Sequence, residues 1–165
     1  MAAHGVVRLD KVQASYNGNL EHLIHTEDLD NGSFVHVGAL AAGQREIKNV
    51  VVPASASLLD EVVLVASPEV IYDANQGRQL DKFFNAKGKP ARGYHLVPGD
   101  IVSISDDMLF GSTVLNQYVI PQADSVKLKA SATNPGTTRF VGKVIAKEIF
   151  GSTAKPVTVI QVLNS

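Results

Sequence analysis

The sequence predicts a mainly β protein: a compact β-barrel or sandwich-like domain over residues 32–165, with one short helix, behind a polar N-terminal arm or edge segment over residues 1–31. Three observations carry this. The apolar content leans on Val, Ala, Leu and Ile with no Trp, and β-branched side chains suit a pleated surface better than a helical turn. Turn residues interrupt the chain at short intervals, at Asn17-Gly18-Asn19, Asp30-Asn31-Gly32, Gly43-Gln44, Gly77, Gly88-Lys89-Pro90, Pro98-Gly99-Asp100, Gly111-Ser112, Asn134-Pro135-Gly136 and Gly151-Ser152. Between them lie apolar or alternating segments of strand length, and helical periodicity is sparse.

The elements follow in order. Residues up to about 31 are more polar and less patterned, so they read as an extended arm whose deletion (residues 2–18) would leave the domain folded. Phe34 to Leu40 is a strand. Val50-Val51-Val52 is another, stopped by Pro53, and Val62 to Ala66 is the most apolar. Ser55 to Val65 admits a helix start at Ser57, with Asp60 three residues on, but Val62, Val63 and Val65 favour a strand throughout. Leu80 to Lys87 forms two helical turns, with Leu80, Phe83 and Phe84 on one face and Gly88 as the stop. In Asp100 to Ser105, Ile and Ser alternate, which sends one face inward and the other to water. Asp124 to Ala130 alternates likewise. Phe140 to Lys147 and Val157 to Leu163 make a hairpin around Gly151-Ser152, with Pro156 at the start of the second strand, where a missing N–H does least harm.

A chain of 165 residues fits one domain and buries roughly 70% of the surface it would expose unfolded, so it can hold its own core. The net charge of −1, with no long run of either sign, gives no obvious phosphate-neutralising surface, so no nucleic acid is expected as partner. The absence of cysteine excludes disulfides, thiolate catalysis and cysteine-ligated metals. Met1 to Gly5 lacks the start of a signal peptide, and no apolar run approaches the roughly 20 residues of a membrane helix, so a cytoplasmic product with no membrane partner is expected.

Few residues suggest chemistry. His22 and His25, beside Glu21, would share one face of a helix as a metal constellation, but on a strand the odd offset puts them on opposite faces. Asp106-Asp107, with Asp60-Glu61 and Asp73, offers carboxylates for acid–base work, against the plainer reading of Asp side chains capping a strand-ending turn. No Gly-x-Ser-x-Gly elbow occurs, no Ser-x-x-Lys unit stands in a catalytic setting, and no glycine run cradles a phosphate. Lys87 to Tyr94 is the one basic cluster with a neighbouring aromatic, an exposed loop by default. Val97-Pro98-Gly99-Asp100-Ile101-Val102 resembles the Gly-Asp turn of several small β-barrels, signal-peptidase-like folds included. Those enzymes need a serine–lysine pair that has no match here, so the segment reads as a β-turn, with Pro fixing φ and Gly taking the left-handed position. No cofactor or metal is expected.

Several segments together resemble virion proteins of tailed bacteriophages, of the small capsid (head) decoration or cement type. They are Leu64 to Asp73, Gly88 to Tyr94, Pro98 to Asp106, Gln117-Tyr118-Val119 and Thr138 to Ile145, with Asp30 to Val35 also fitting. The likeness is one of texture and segment order across most of the chain after residue 30. It implies a non-enzymatic, β-rich homo-oligomer, trimer or dimer, on the capsid surface of the virion, where it holds major capsid protein subunits together. The family brings no catalytic residues. Two alternatives stand beside it: a phage tail tube or adaptor subunit, and a small β-barrel hydrolase or ligand-binding domain using Asp100, Asp106 or Asp107.

Overall fold

The structure, a computed structural model, describes residues 4–12, 17–70, 80–134, 136–150 and 154–165. Among the described residues twelve strands form between the turns: β1 (Val7–Lys11), β2 (Leu20–Ile24), β3 (Phe34–Leu40), β4 (Ile47–Val51), β5 (Val63–Val65), β6 (Ala91–His95), β7 (Ile101–Ser105), β8 (Leu109–Phe110), β9 (Tyr118–Pro121), β10 (Leu128–Ser131), β11 (Val141–Phe150) and β12 (Lys155–Asn164). They make a closed barrel in the order β2-β4-β3-β5-β6 and a seven-stranded sheet in the order β1-β7-β12-β11-β9-β10-β8. The mainly β fold predicted from composition and turn spacing is therefore observed. Closure leaves the barrel without a free edge. No helix among the described residues is long and apolar enough to cross a membrane.

Period-two patterning explains how both parts are held. Val102, Val144 and Ile160 stand side by side across β7, β12 and β11 and face inward. They join Phe34, Leu64, Tyr94 and Leu96 from the outside of the barrel in one core. The Phe34 and Phe140 rings meet at 4.9 Å between centroids, one on each side of this seam. A second cluster, Leu23, Leu29, Val35, Val63, Val65 and Ala91, fills the barrel itself. Backbone hydrogen bonds from Phe34 to Val126 (2.7 Å) and from Asp124 to Pro53 (2.7 Å) stitch barrel to sheet. Gly142 sits where β11, β12 and β9 press together; a Cβ there would lie 2.5 Å from Ile160 and 2.9 Å from Val119, so only glycine fits.

The β11–β12 hairpin forms as expected, its tip Gly151-Ser152 lying outside the described residues. Pro156 is the second residue of β12. It pairs only with β11, because β7 joins from Val157 onward.

Four expectations need correction. Leu80 to Lys87 is not two helical turns but one 3₁₀ turn, Leu80–Lys82. Asn85 is held instead by two backbone bonds to Leu29, and its amide donates to the Leu29 carbonyl and to Asn31. Ser55 to Val65 is a strand only from Val63; Ser55–Ser57 is a 3₁₀ turn because the Ser57 hydroxyl accepts the Ala54 N–H. The strand expected from Asp124 starts at Leu128, since Asp124 sits at a φ of 57° inside a turn. Ser103 and Ser105 do not face water. The Ser105 hydroxyl accepts the Val6 N–H, Ser103 donates to Asp10, and both are covered by the N-terminal segment. Of residues 1–31, β1 is an edge strand of the sheet and β2 is a stave of the barrel.

Candidate functional site

The barrel is apolar through its interior and charged at one mouth. Strand pairing places His95 beside Val63 and Val35, and Glu21 beside Gly93 and Val65, so both side chains share the inner face with the valines. Lys48 on β4 pairs with Leu23 on that same face. Glu21 Oε1 accepts from Lys48 Nζ (2.8 Å) and His95 Nε2 (3.2 Å), while His95 Nδ1 lies 2.6 Å from Glu61 Oε1. Arg139 completes the chain, 3.8 Å from Glu61. Burial alone would raise the Glu21 pKa, but the hydrogen bonds and charges of Lys48 and His95 outweigh it and hold it below its ordinary value. Both His95 ring nitrogens thus face carboxylate oxygens, which only accept.

A cleft of about 290 Å³ opens beside this cluster, lined by His36, Val37, Asp60, Glu61, Val63 and His95. His36 donates its Nδ1–H to the Glu61 carbonyl (2.7 Å), and its Nε2 lies 3.1 Å from the Ser57 hydroxyl. A serine–histidine contact invites a nucleophile reading. Ser57, however, also accepts the Ala54 N–H (3.0 Å) and lies 3.1 Å from the Ala54 carbonyl, the bonds of a turn cap. Glu21, Lys48, His95, Glu61 and Arg139 each engage another of the five, which makes the cluster a polar plug on an apolar barrel.

The residues singled out in the sequence fall in several places. His22 is exposed on β2, and His25 lies beyond the strand with its ring against Glu27, so the two share no site. Among the described residues no set of three His, Asp or Glu side chains is arranged to hold a metal ion. Asp106 is bonded to Lys147 (2.7 Å) and Thr158 (2.7 Å), whereas Asp107 pairs with Lys155 (2.8 Å), so the adjacent carboxylates serve different partners. Asp100 caps its turn by accepting the Val97 N–H at 2.9 Å, with Gly99 at a φ of 97°. Glu61 belongs to the barrel mouth, and Asp73 lies outside the described residues. In the basic segment, the Lys87 N–H is held by Asp28, and Arg92 lines a shallow cleft with Leu20, Glu21, His22 and Glu46.

One surface escaped sequence reasoning. Phe110, Val114, Leu115 and Ile149 are each more than half exposed. Three of them lie on β8 and the loop from it to β9, which crosses the end of the sheet. That loop is tied down. Buried Thr113 meets buried Thr158 at 2.9 Å, and Lys147 Nζ bonds Thr113 (2.9 Å), Thr158 (2.7 Å) and Asp106 (2.7 Å). The Asn116 N–H donates to the Val144 carbonyl (2.9 Å), and the Val144 N–H to that of Gln117 (2.8 Å). Segments without a repeating period carry no strand or helix signal, so nothing in the sequence pattern singled out Val114-Leu115. The one hint was two aliphatic residues placed just after Gly111-Ser112, where polar residues would be usual.

Fold and surface define a β domain of a closed barrel and an open sheet on one core, presenting apolar side chains on a braced loop. Compared with protein-family models, curated proteins and solved structures, the chain matches none.

Proposed function

We propose that the chain is a non-enzymatic virion structural protein that binds the outer surface of a phage capsid and stabilises contacts between major capsid protein subunits. The observation that carries the reading is the braced loop. Phe110, Val114 and Leu115 stand in water on a support ordered by Thr113, Thr158, Lys147 and Asp106. Exposed apolar residues grouped in this way mark contact surfaces, and a loop already ordered loses little entropy on docking. The resemblance of the segments from Asp30 to Ile145 to capsid-decoration proteins supplies the partner. Such a protein works as a homo-oligomer, trimer or dimer, because weak contacts repeated over a lattice gain from effective concentration. In this reading Asp100 is a turn cap and Asp106 a loop brace, while Asp107 pairs with Lys155 at the start of β12.

The test is sedimentation with undecorated tailed-phage capsids assembled from a cognate major capsid protein. Saturable co-sedimentation is expected, and a chain that stays in the supernatant at every concentration contradicts the proposal.

A further inference from the structure

The seven-stranded sheet turns one side to the core and the other away from it. On the side away from the core, strand pairing sets Phe110 beside Lys129 and Lys129 beside Ile120. The next row runs Ser131, Tyr118, Lys143, Gln161, Ile101 across β10, β9, β11, β12 and β7. The intervening residues Val119, Val144, Ile160 and Val102 lie in the core, which fixes the direction of these rows. Lys129, Tyr118, Lys143 and Gln161 are all partly exposed.

Cationic side chains stand at both ends of this face: exposed Lys11 beside Ile101 at the β1 end, and Lys129 and Lys143 on β10 and β11. The sheet's strands turn two carboxylates to it, Asp10 and Glu148, and Arg8 engages both, at 3.0 Å and 4.0 Å. The other basic residues in ion pairs among the described residues are His4, Lys48, His95, Arg139, Lys147 and Lys155. Lys129 and Lys143 belong to none of these pairs. The β8–β10–β9–β11 part of the face is cationic, and Phe110 on it directly precedes the braced loop in sequence.

We infer that this part of the sheet face, with Phe110, Tyr118, Lys129 and Lys143, docks an acidic protein surface that has apolar residues at its centre. The inference rests on the reading that the chain binds other proteins, and it names the face and the partner's chemistry. Unpaired lysines around aromatic and aliphatic side chains match carboxylates around an apolar patch. A nucleic acid fits less well, because two lysines neutralise few phosphates.

The experiment is an NMR titration of the full chain with a random glutamate–tyrosine copolymer, in parallel with an oligo-thymidine strand. The amides of Phe110, Tyr118, Lys129 and Lys143 are expected to shift with the copolymer. Binding should weaken by roughly tenfold or more in K129E/K143E and on raising salt from roughly 50 to roughly 500 mM, but not in the exposed-loop control K89E. Shifts centred elsewhere, equal binding by K129E/K143E, or tighter binding of oligo-thymidine would overturn the inference. So would self-association of the free chain that K129E/K143E abolishes, since the occupant would then be a second copy. Capsid sedimentation separates the two proposals. Wild type and K129E/K143E sedimenting alike would sink the docking face and keep the capsid role. Wild type failing to sediment, with the copolymer still mapping to this face, would sink the capsid role and keep the face.

Discussion

Glu21 shows how a single residue in the barrel mouth depends on its neighbours. Its pKa is held below the ordinary 4.5 because Lys48 and His95 outweigh the cost of burial. The sign follows directly: Glu21 contributes stability above that pH, and the contribution is lost as pH falls through the lowered folded-state value. Glu21→Gln is therefore expected to cost roughly 1 kcal/mol near neutral pH, with the difference from wild type shrinking on acidification; urea unfolding at a series of pH values measures it. A difference that grew as pH fell would reverse the assignment. Little of this cluster was legible in the sequence. Glu61 was noted as one of a carboxylate pair, but its partners His95 and Arg139 lie far along the chain, and only barrel closure brings them together.

At the scale of elements, the legible parts were those with a simple period and a clear stop. β3, β7, β11 and β12 carry β-branched residues bounded by turn glycines, and each appears within a few residues of where its pattern placed it. The failures have two causes: a distant backbone bond outcompeted local propensity, as Leu29 did for Asn85, and local turn bonds displaced a strand, as the Ala54–Ser57 cap did. The N-terminal segment, read as an arm or edge segment, supplies the edge strand β1 of the sheet and the barrel stave β2. Val6 and Val7 are buried, and Lys155 reaches the His4 carbonyl across the sheet end. Deleting residues 2–12 is expected to destabilise the domain by roughly 3 kcal/mol or more, read as a lowered thermal midpoint; an unchanged midpoint would restore the arm. The braced loop makes its own prediction. Thr158→Val keeps the volume but removes the hydroxyl that links Lys147, Thr113 and Asp106, so about 1–3 kcal/mol should be lost and amide exchange from 112 to 117 should accelerate.

Over the whole molecule, barrel and sheet share one core, so they should unfold together. Phe140 is fully buried against Phe34 at the seam. Phe140→Ala is expected to cost about 3–5 kcal/mol and to shift barrel and sheet amides in a single transition; two separated transitions would mean independent units. The β class was readable because composition and turn spacing act locally. The division into barrel and sheet was not, because β2 pairs in parallel with β4 and β10 with β8, connections that no hairpin signal announces.

The most direct measurement of the central claim, that the chain works by docking on a protein lattice, is co-sedimentation of wild type and Leu115→Glu with undecorated capsids. Leu115 is exposed on the braced loop, so its substitution should leave the thermal midpoint unchanged while weakening binding by roughly tenfold or more. Equal sedimentation of the two proteins, or none by either, would contradict it.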